Sequence, residues 1–265
     1  TAINDYAFMY CAGLTGLNLP ASVTQIGDYA FCYCTKLASL TLEGDGVEIG
    51  DFSFYRCTDL KQLNYSKIKS IGEYAFANCP SLSIESMKEG LERIESYAFM
   101  GCTGLKNIRM PESMTKIGDF VFSGCTSLTY ASFPSGLTDA GTGANIFYEC
   151  TALTSIQPSE AWKEVPAGIF SRCTSVTDVS YLLKEGITKI GAQAFDRCSL
   201  SGKLVLPSTV KEIGDYAFFS LNDITSVTFP EGLLSIGDSA FQRISLNEID
   251  LPNSLESIGD SAFSS

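Results

Sequence analysis

The sequence predicts a β-rich solenoid: one unit of about 23 residues stacked from end to end, with a parallel sheet on one face and short turns or single helical turns on the other. Three observations predict it. Phenylalanine recurs at Phe8, Phe31, Phe54, Phe76, Phe99, Phe122, Phe147, Phe170, Phe195, Phe218, Phe241 and Phe263, at intervals of 22 to 25 residues and most often 23. Five residues before each anchor stands an aliphatic side chain, as at Ile3, Ile26, Ile49, Ile213, Ile236 and Ile258, with Thr142 the one exception. After the anchor, a Leu-x-x-Leu-x-Leu run recurs and is often closed by proline. Twelve anchors account for 1–265 as a single solenoid of about 11 to 12 units, truncated mid-repeat at both ends.

Within the unit, the first segment reads Ile-Gly-Asp-Tyr-Ala-Phe. Its Asp stands where a side-chain oxygen could cap a short turn, and its apolar residues have helical spacing over a single turn, so the Asp is expected to be an N-cap. The next segment alternates as a strand does. Leu37-x-x-Leu40-x-Leu42, Leu105-x-x-Ile108-x-Met110 and Ile224-x-x-Val227-x-Phe229 direct apolar residues inward and leave Ser, Thr, Asn or Lys outward. Proline then ends the strand, because it has no N–H to give to a ladder. No unit could bury its apolar side alone. Stacked, the units cover one another, with strands about 4.8 Å apart and a rod or arc roughly 50 Å long. Residues 134–166 are the least regular: Gly141-Thr142-Gly143-Ala144-Asn145 replaces Ile-Gly-Asp-Tyr, and a wider coil or protruding loop is expected there.

The pattern Ile-Gly-x-x-Ala-Phe-x-x-Cys-x-x-Leu-x-x-Leu-x-Leu-Pro resembles the BspA-like leucine-rich repeat family and covers essentially the whole chain. The resemblance implies a right-handed leucine-rich-repeat superhelix on secreted or cell-surface proteins. Such proteins are common in gut and oral bacteria, also occur in some protozoa, and are often associated with adhesion to host proteins.

Composition narrows the chemistry. Formal net charge is −12, from 18 basic and 30 acidic residues, so phosphate backbones and anionic lipid headgroups are repelled and nucleic acid is not expected as a partner. The absence of histidine excludes Ser-His and Cys-His catalysis and imidazole metal sites within this chain. No apolar stretch is long enough to span a bilayer, so direct membrane insertion of these residues is not expected. Thr1-Ala2-Ile3-Asn4-Asp5 does not resemble a signal peptide, and the chain reads as a fragment or processed product with flanking repeats or domains expected beyond it.

Repeat position explains most residues that invite a functional reading. Nine of the ten cysteines (Cys11, Cys34, Cys57, Cys79, Cys102, Cys125, Cys150, Cys173 and Cys198) fall three residues after the anchor. Leu221 and Ile244 fill that slot in later units, which marks it as a buried packing position, and thiols one coil apart on a line cannot build a tetrahedral metal site. Cys32 lies outside the register and is the one expected to be reactive. One carboxylate per coil, as at Asp5, Asp28, Asp51 and Asp238, is too few for calcium. The aromatics two residues before the anchor (Tyr6, Tyr29, Phe52, Tyr74, Tyr97, Phe120 and Tyr216) read as ladder packing, and Trp162 reads as core.

What remains is the outward side of the strands. Lys61, Gln62, Asn64, Lys106, Asn107, Arg109 and Tyr130 form a long, varied and partly basic set on an acidic protein, and they are the candidate partner-binding residues. The expected function is an extracellular or cell-surface binding or adhesion module, monomeric, without cofactor, metal or catalytic residues, whose partner is a protein such as a host matrix or serum protein. A structural spacer displaying another domain is the first alternative, and a carbohydrate-binding module the second.

Overall fold

The computed structural model describes residues 1–63, 68–84, 86–138, 140 and 144–265, and of Gln62 only the backbone. They form a parallel β-solenoid of about 11 turns with no helix among the described residues.

Each regular coil carries two strand segments rather than the single one expected. The first lies just ahead of the glycine. It comprises β1 (Ala2–Ile3), β3 (Gln25–Ile26), β5 (Val47–Ile49), β7 (Ile68–Ile71), β8 (Arg93–Ile94) and β10 (Lys116–Ile117) in one six-stranded sheet. A five-stranded sheet continues this column with β13 (Glu164–Val165), β14 (Lys189–Ile190), β16 (Glu212–Ile213), β18 (Ser235–Ile236) and β19 (Ser257–Ile258). The second segment is the Leu-x-x-Leu-x-Leu strand. It appears as β2 (Gly16–Leu19), β4 (Ser39–Leu42) and β6 (Gln62–Leu63), then β9 (Asn107–Arg109), β11 (Tyr130–Ser132) and β12 (Ser155–Gln157), then β15 (Ser201–Val205) and β17 (Asp223–Thr228). Among the described residues this side therefore carries three sheets, of three, three and two strands.

All pairings are parallel, and apart from one-residue shifts after Val47 in β5 and after Gly202 in β15 they keep the repeat register, as Ile26↔Ile49 and Leu40↔Leu63 show, so identical slots stack directly. That register builds the core. The ten interior anchors from Phe31 to Phe241 are fully buried, and consecutive rings stack at 5.1 Å (Phe31 and Phe54), 5.2 Å (Phe54 and Phe76) and 5.4 Å (Phe76 and Phe99). The column is tilted at Phe170 and Phe195, 6.3 Å apart, beyond the irregular region. Among the described residues, one sheet ends before that region at β10 and the next begins within it at β13. Thr142 and its neighbours Gly141 and Gly143, on which the expected loop was centred, lie outside the described residues. Trp162 is buried against Phe133 at 4.9 Å, as core.

The segment between Asp and Cys consists of successive turns rather than a helical turn. In the second coil, Ala30, Cys32 and Cys34 N–H donate three residues back, to Gly27, Tyr29 and Phe31 O, at 3.4, 3.1 and 3.0 Å. The residues between them reach the next coil instead: Tyr29, Phe31 and Tyr33 N–H donate to Asp51, Ser53 and Tyr55 O at 2.8, 2.7 and 2.8 Å. The first and last of these turns carry a left-handed residue in third place, Tyr29 and Tyr33, with φ of 55° and 61°. A bulky residue there costs about 1 to 2 kcal/mol. Stacking of Tyr29 on Tyr6 at 5.1 Å and on Phe52 at 4.8 Å contributes about 0.5 to 1.5 kcal/mol per pair and offsets it.

The aspartate is not an N-cap. Asp51 N–H donates to Asp28 Oδ1 at 2.8 Å, Glu73 N–H to Asp51 Oδ1 at 2.7 Å and Asp260 N–H to Asp238 Oδ1 at 2.7 Å. Each carboxylate is thus a rung to the following coil, and a backbone N–H at the start of that coil's turn is satisfied from the coil before it.

Candidate functional site

The Leu-x-x-Leu-x-Leu strands fix the candidate surface, because their alternation sends every second side chain outward. In β9, Ile108 is buried while Asn107 and Arg109 are exposed. The register Tyr130↔Asn107 and Tyr130↔Ser155 sets these three residues in one row across the middle sheet, and Arg109, Ser132 and Gln157 form the next. Tyr130 OH ties the two rows by donating to Gln157 Oε1 at 3.3 Å, and Thr129 Oγ1, just ahead of β11, donates to Asn107 Oδ1 at 3.0 Å. A shallow depression lined by Ser86, Asn107, Arg109 and Tyr130 opens on this surface.

The candidate residues do not all lie on one sheet. Lys106, exposed, precedes β9, and Asn107, Arg109 and Tyr130 share the middle sheet. Lys61 is exposed ahead of β6, and Gln62 pairs with Ser39, so both belong to the first sheet, two coils away. The intervening coil supplies no strand here among its described residues, and Asn64 lies outside them. Gln157 and Ser132, in the same outward slots, complete the surface. Their positions in the repeat were legible, but their short or neutral side chains did not stand out.

A second surface covers the turn side. Tyr6, Tyr29, Phe52, Tyr74, Tyr97 and Phe120 stack in one continuous column at 4.6 to 5.1 Å with nearly parallel planes. The interior members are half-buried, so they present ring edges and, in the tyrosines, hydroxyls to solvent. Guanidinium groups lie over neighbouring rings: Arg56 over Tyr33 and Tyr55, Arg172 over Tyr148, and Arg197 and Arg243 over Phe219, at 5.1 to 5.6 Å. A sugar ring binds an aromatic through its face, and within this column neighbouring rings already occupy the faces.

The cysteine ladder is a packing device with its own hydrogen bonds. Each thiol from Cys34 to Cys198 donates to the carbonyl of the preceding coil's anchor, as Cys57 Sγ does to Phe31 O at 3.2 Å and Cys102 Sγ to Phe76 O at 3.0 Å. Burial pushes these thiols up, to about 12 at Cys102 and Cys173. Leu221 and Ile244 are buried in the same slot. Cys32 overturns its expectation: it is 2% exposed, and burial raises its pKa too, while its backbone is held on both sides, by Cys32 N–H to Tyr29 O at 3.1 Å and Tyr10 N–H to Cys32 O at 2.9 Å. The exposed thiol is Cys11, in the first coil. At pH 8, iodoacetamide is expected to modify Cys11 in the native chain and the other nine thiols only after denaturation, with labelled sites read by mass spectrometry. Raised thiol pKa values in the fold also mean stability that is present below pH about 9 and is lost as pH climbs towards 12.

The family model described as "BspA type Leucine rich repeat region" matches the sequence in six copies, over residues 1–102, 69–201 and 188–265. A leucine-rich repeat protein from Bacteroides ovatus superposes with a TM-score of 0.75 at 26% identity, over 100% of this chain and 79% of that one. A leucine rich cell surface protein from Faecalibacterium prausnitzii gives a TM-score of 0.70 at 27% identity, over 100% and 74%. The pneumococcal vaccine antigen PcpA, at 18% identity and a TM-score of 0.56 over 92% of this chain and 58% of that one, shares the fold. A comparison with curated proteins gives no match.

Proposed function

The chain belongs to the BspA-type leucine-rich repeat family, and from that premise we propose that it is a non-catalytic, extracellular or cell-surface adhesion module that presents its outward strand face to a protein partner. The observation that carries the reading is the middle sheet. Its rows bring Asn107, Arg109 and the half-buried Tyr130 together beside the exposed Lys106, as a hydrogen-bond-rich and locally basic surface on a chain of net charge −12. Arg and Tyr are the residue types enriched where protein partners bind tightly. The similarity to the leucine rich cell surface protein of Faecalibacterium prausnitzii supports the location. Face-to-face stacking on the turn side supports a protein partner over a glycan.

The test is surface-immobilised binding of the chain to a panel of extracellular-matrix and serum proteins beside a glycan array, with Lys61→Glu, Lys106→Glu and Arg109→Glu combined as the control. The expected result is binding to a protein of the panel that weakens at least about tenfold in the triple variant, with unchanged thermal unfolding, since all three side chains are exposed. Binding that survives the triple change would move the site elsewhere. Silence on both arrays would favour a spacer.

A further inference from the structure

Parallel stacking leaves every strand with two edges, and in most coils the neighbours satisfy both. Between β12 and β15 one coil breaks the pattern. Val176 O still accepts Ser199 N–H at 3.0 Å, so that coil is in register up to this residue. It then turns on itself: Ser180 N–H donates to Asp178 Oδ1 at 2.8 Å, and Leu182 and Leu183 N–H both donate to Val179 O, at 2.9 and 3.1 Å. Val179 and Leu182 plug the core, but no strand forms.

The two lips of this gap differ. On the β12 lip, the Tyr181 hydroxyl oxygen accepts Ile156 N–H at 3.1 Å and closes the edge. On the β15 lip, no hydrogen bond links the described residues 177–183 to Ser201–Val205. Leu206 N–H donates to Thr228 O at 3.2 Å and Gly202 O accepts from Thr225 Oγ1 at 3.1 Å, both towards β17. Alternation along the strand therefore turns the N–H and C=O of Lys203 and Val205 the other way, into the gap. Both residues are exposed, Val205 at 61%, and a depression of about 240 Å³ runs between Asp178, Val179 and Leu183 on one side and Lys203 and Val205 on the other.

We propose that the free edge of β15 takes up an extended segment of a partner protein as an added strand. The chemistry selects the occupant. Two N–H and C=O pairs one strand repeat apart, about 6.6 to 7 Å, match an extended polypeptide backbone, and neither a sugar nor a lipid headgroup offers that series. Leu183 and Val205 ask for an apolar side chain in the segment. Net charge of −12 on each copy opposes edge-to-edge pairing of two chains and favours a neutral or basic partner segment. The proposal rests on the protein-binding reading in asking for a polypeptide, but its residues are separate from Lys61, Lys106 and Arg109, so the two fail independently.

A phage-displayed library of random 12-residue peptides, panned on the whole chain, supplies the probe. Enriched peptides are then measured by calorimetry against the unmodified chain, the Lys61, Lys106 and Arg109 triple variant, and Val205→Pro. Proline removes the Val205 N–H, one of the two that face the gap, and leaves the ladder to β17 intact, since edge positions tolerate it. Expected are peptides with an apolar residue that bind the triple variant normally and Val205→Pro at least about tenfold more weakly. Amide exchange in the unmodified chain should slow at Lys203 and Val205 on peptide addition, a readout that does not depend on the proline variant folding. Equal binding to a folded Val205→Pro, no enrichment, protection elsewhere, or a concentration-dependent dimer that Val205→Pro abolishes would each overturn the proposal.

Discussion

Replacing Phe99 with alanine is expected to lower the stability of the rod by about 3 to 5 kcal/mol, the range for emptying a fully buried aromatic site. Phe99 is 0% exposed and its ring is stacked on both sides, on Phe76 at 5.4 Å and on Phe122 at 5.6 Å. The void therefore opens in the middle of a continuous column, and neighbours held in register by backbone bonds on both sides cannot close it. Because each coil touches only the coils beside it, the loss is local and the rod is expected to part there. Urea unfolding should show a lower midpoint and reduced cooperativity, and hydrogen exchange should accelerate first in the coils around residue 99. A single unchanged transition would contradict the nearest-neighbour picture.

Gly50→Ala is expected to cost at least about 2 to 3 kcal/mol, as overpacking against a fixed neighbour does. A Cβ at Gly50 would stand 2.5 Å from Asp28 Oδ1, 2.8 Å from Gly27 C and 2.9 Å from Asp28 N. The carboxylate cannot swing aside without dropping Asp51 N–H, and the other two contacts are backbone. Asp28→Ala in the same chain should therefore fail to rescue the substitution. Gly136→Ala is the control, since a Cβ there meets nothing within 4 Å, and it should leave the melting temperature unchanged or raise it slightly. Equal effects at the two glycines would rule out the steric account.

These two sites also show how far the sequence could be read. The Phe period named every core anchor, and the occupation of the cysteine slot by Leu221 and Ile244 identified the thiols as packing, because a slot's chemistry is averaged over many copies. The role of Asp28 was not legible in the same way. An N-cap and a rung both need an acceptor beside an N–H, and only the three-dimensional stack reveals that the N–H belongs to the next coil. The gap beside β15 was hidden for a different reason. Val176, Val179 and Tyr181 fit the strand pattern, but the Asp178 turn and the Tyr181 hydroxyl give the backbone local partners that compete with the ladder. At the candidate surface, repeat position showed which side chains point outward, and only the sheet topology separated Lys61 from Lys106.

The rungs between coils also fix how the molecule answers to force. Bonds such as Asp51 N–H to Asp28 Oδ1 and Tyr29 N–H to Asp51 O link each coil to its neighbours along the stacking direction. A pull on the two ends loads these coil-to-coil attachments in series, so the rod peels one coil at a time rather than shearing all at once. Each released coil of about 23 residues pays out roughly 75 Å of chain at about 3.3 Å per residue. A tether between a surface and a bound partner built this way lengthens under tension in steps, dissipating a tug that would break a stiffer linkage.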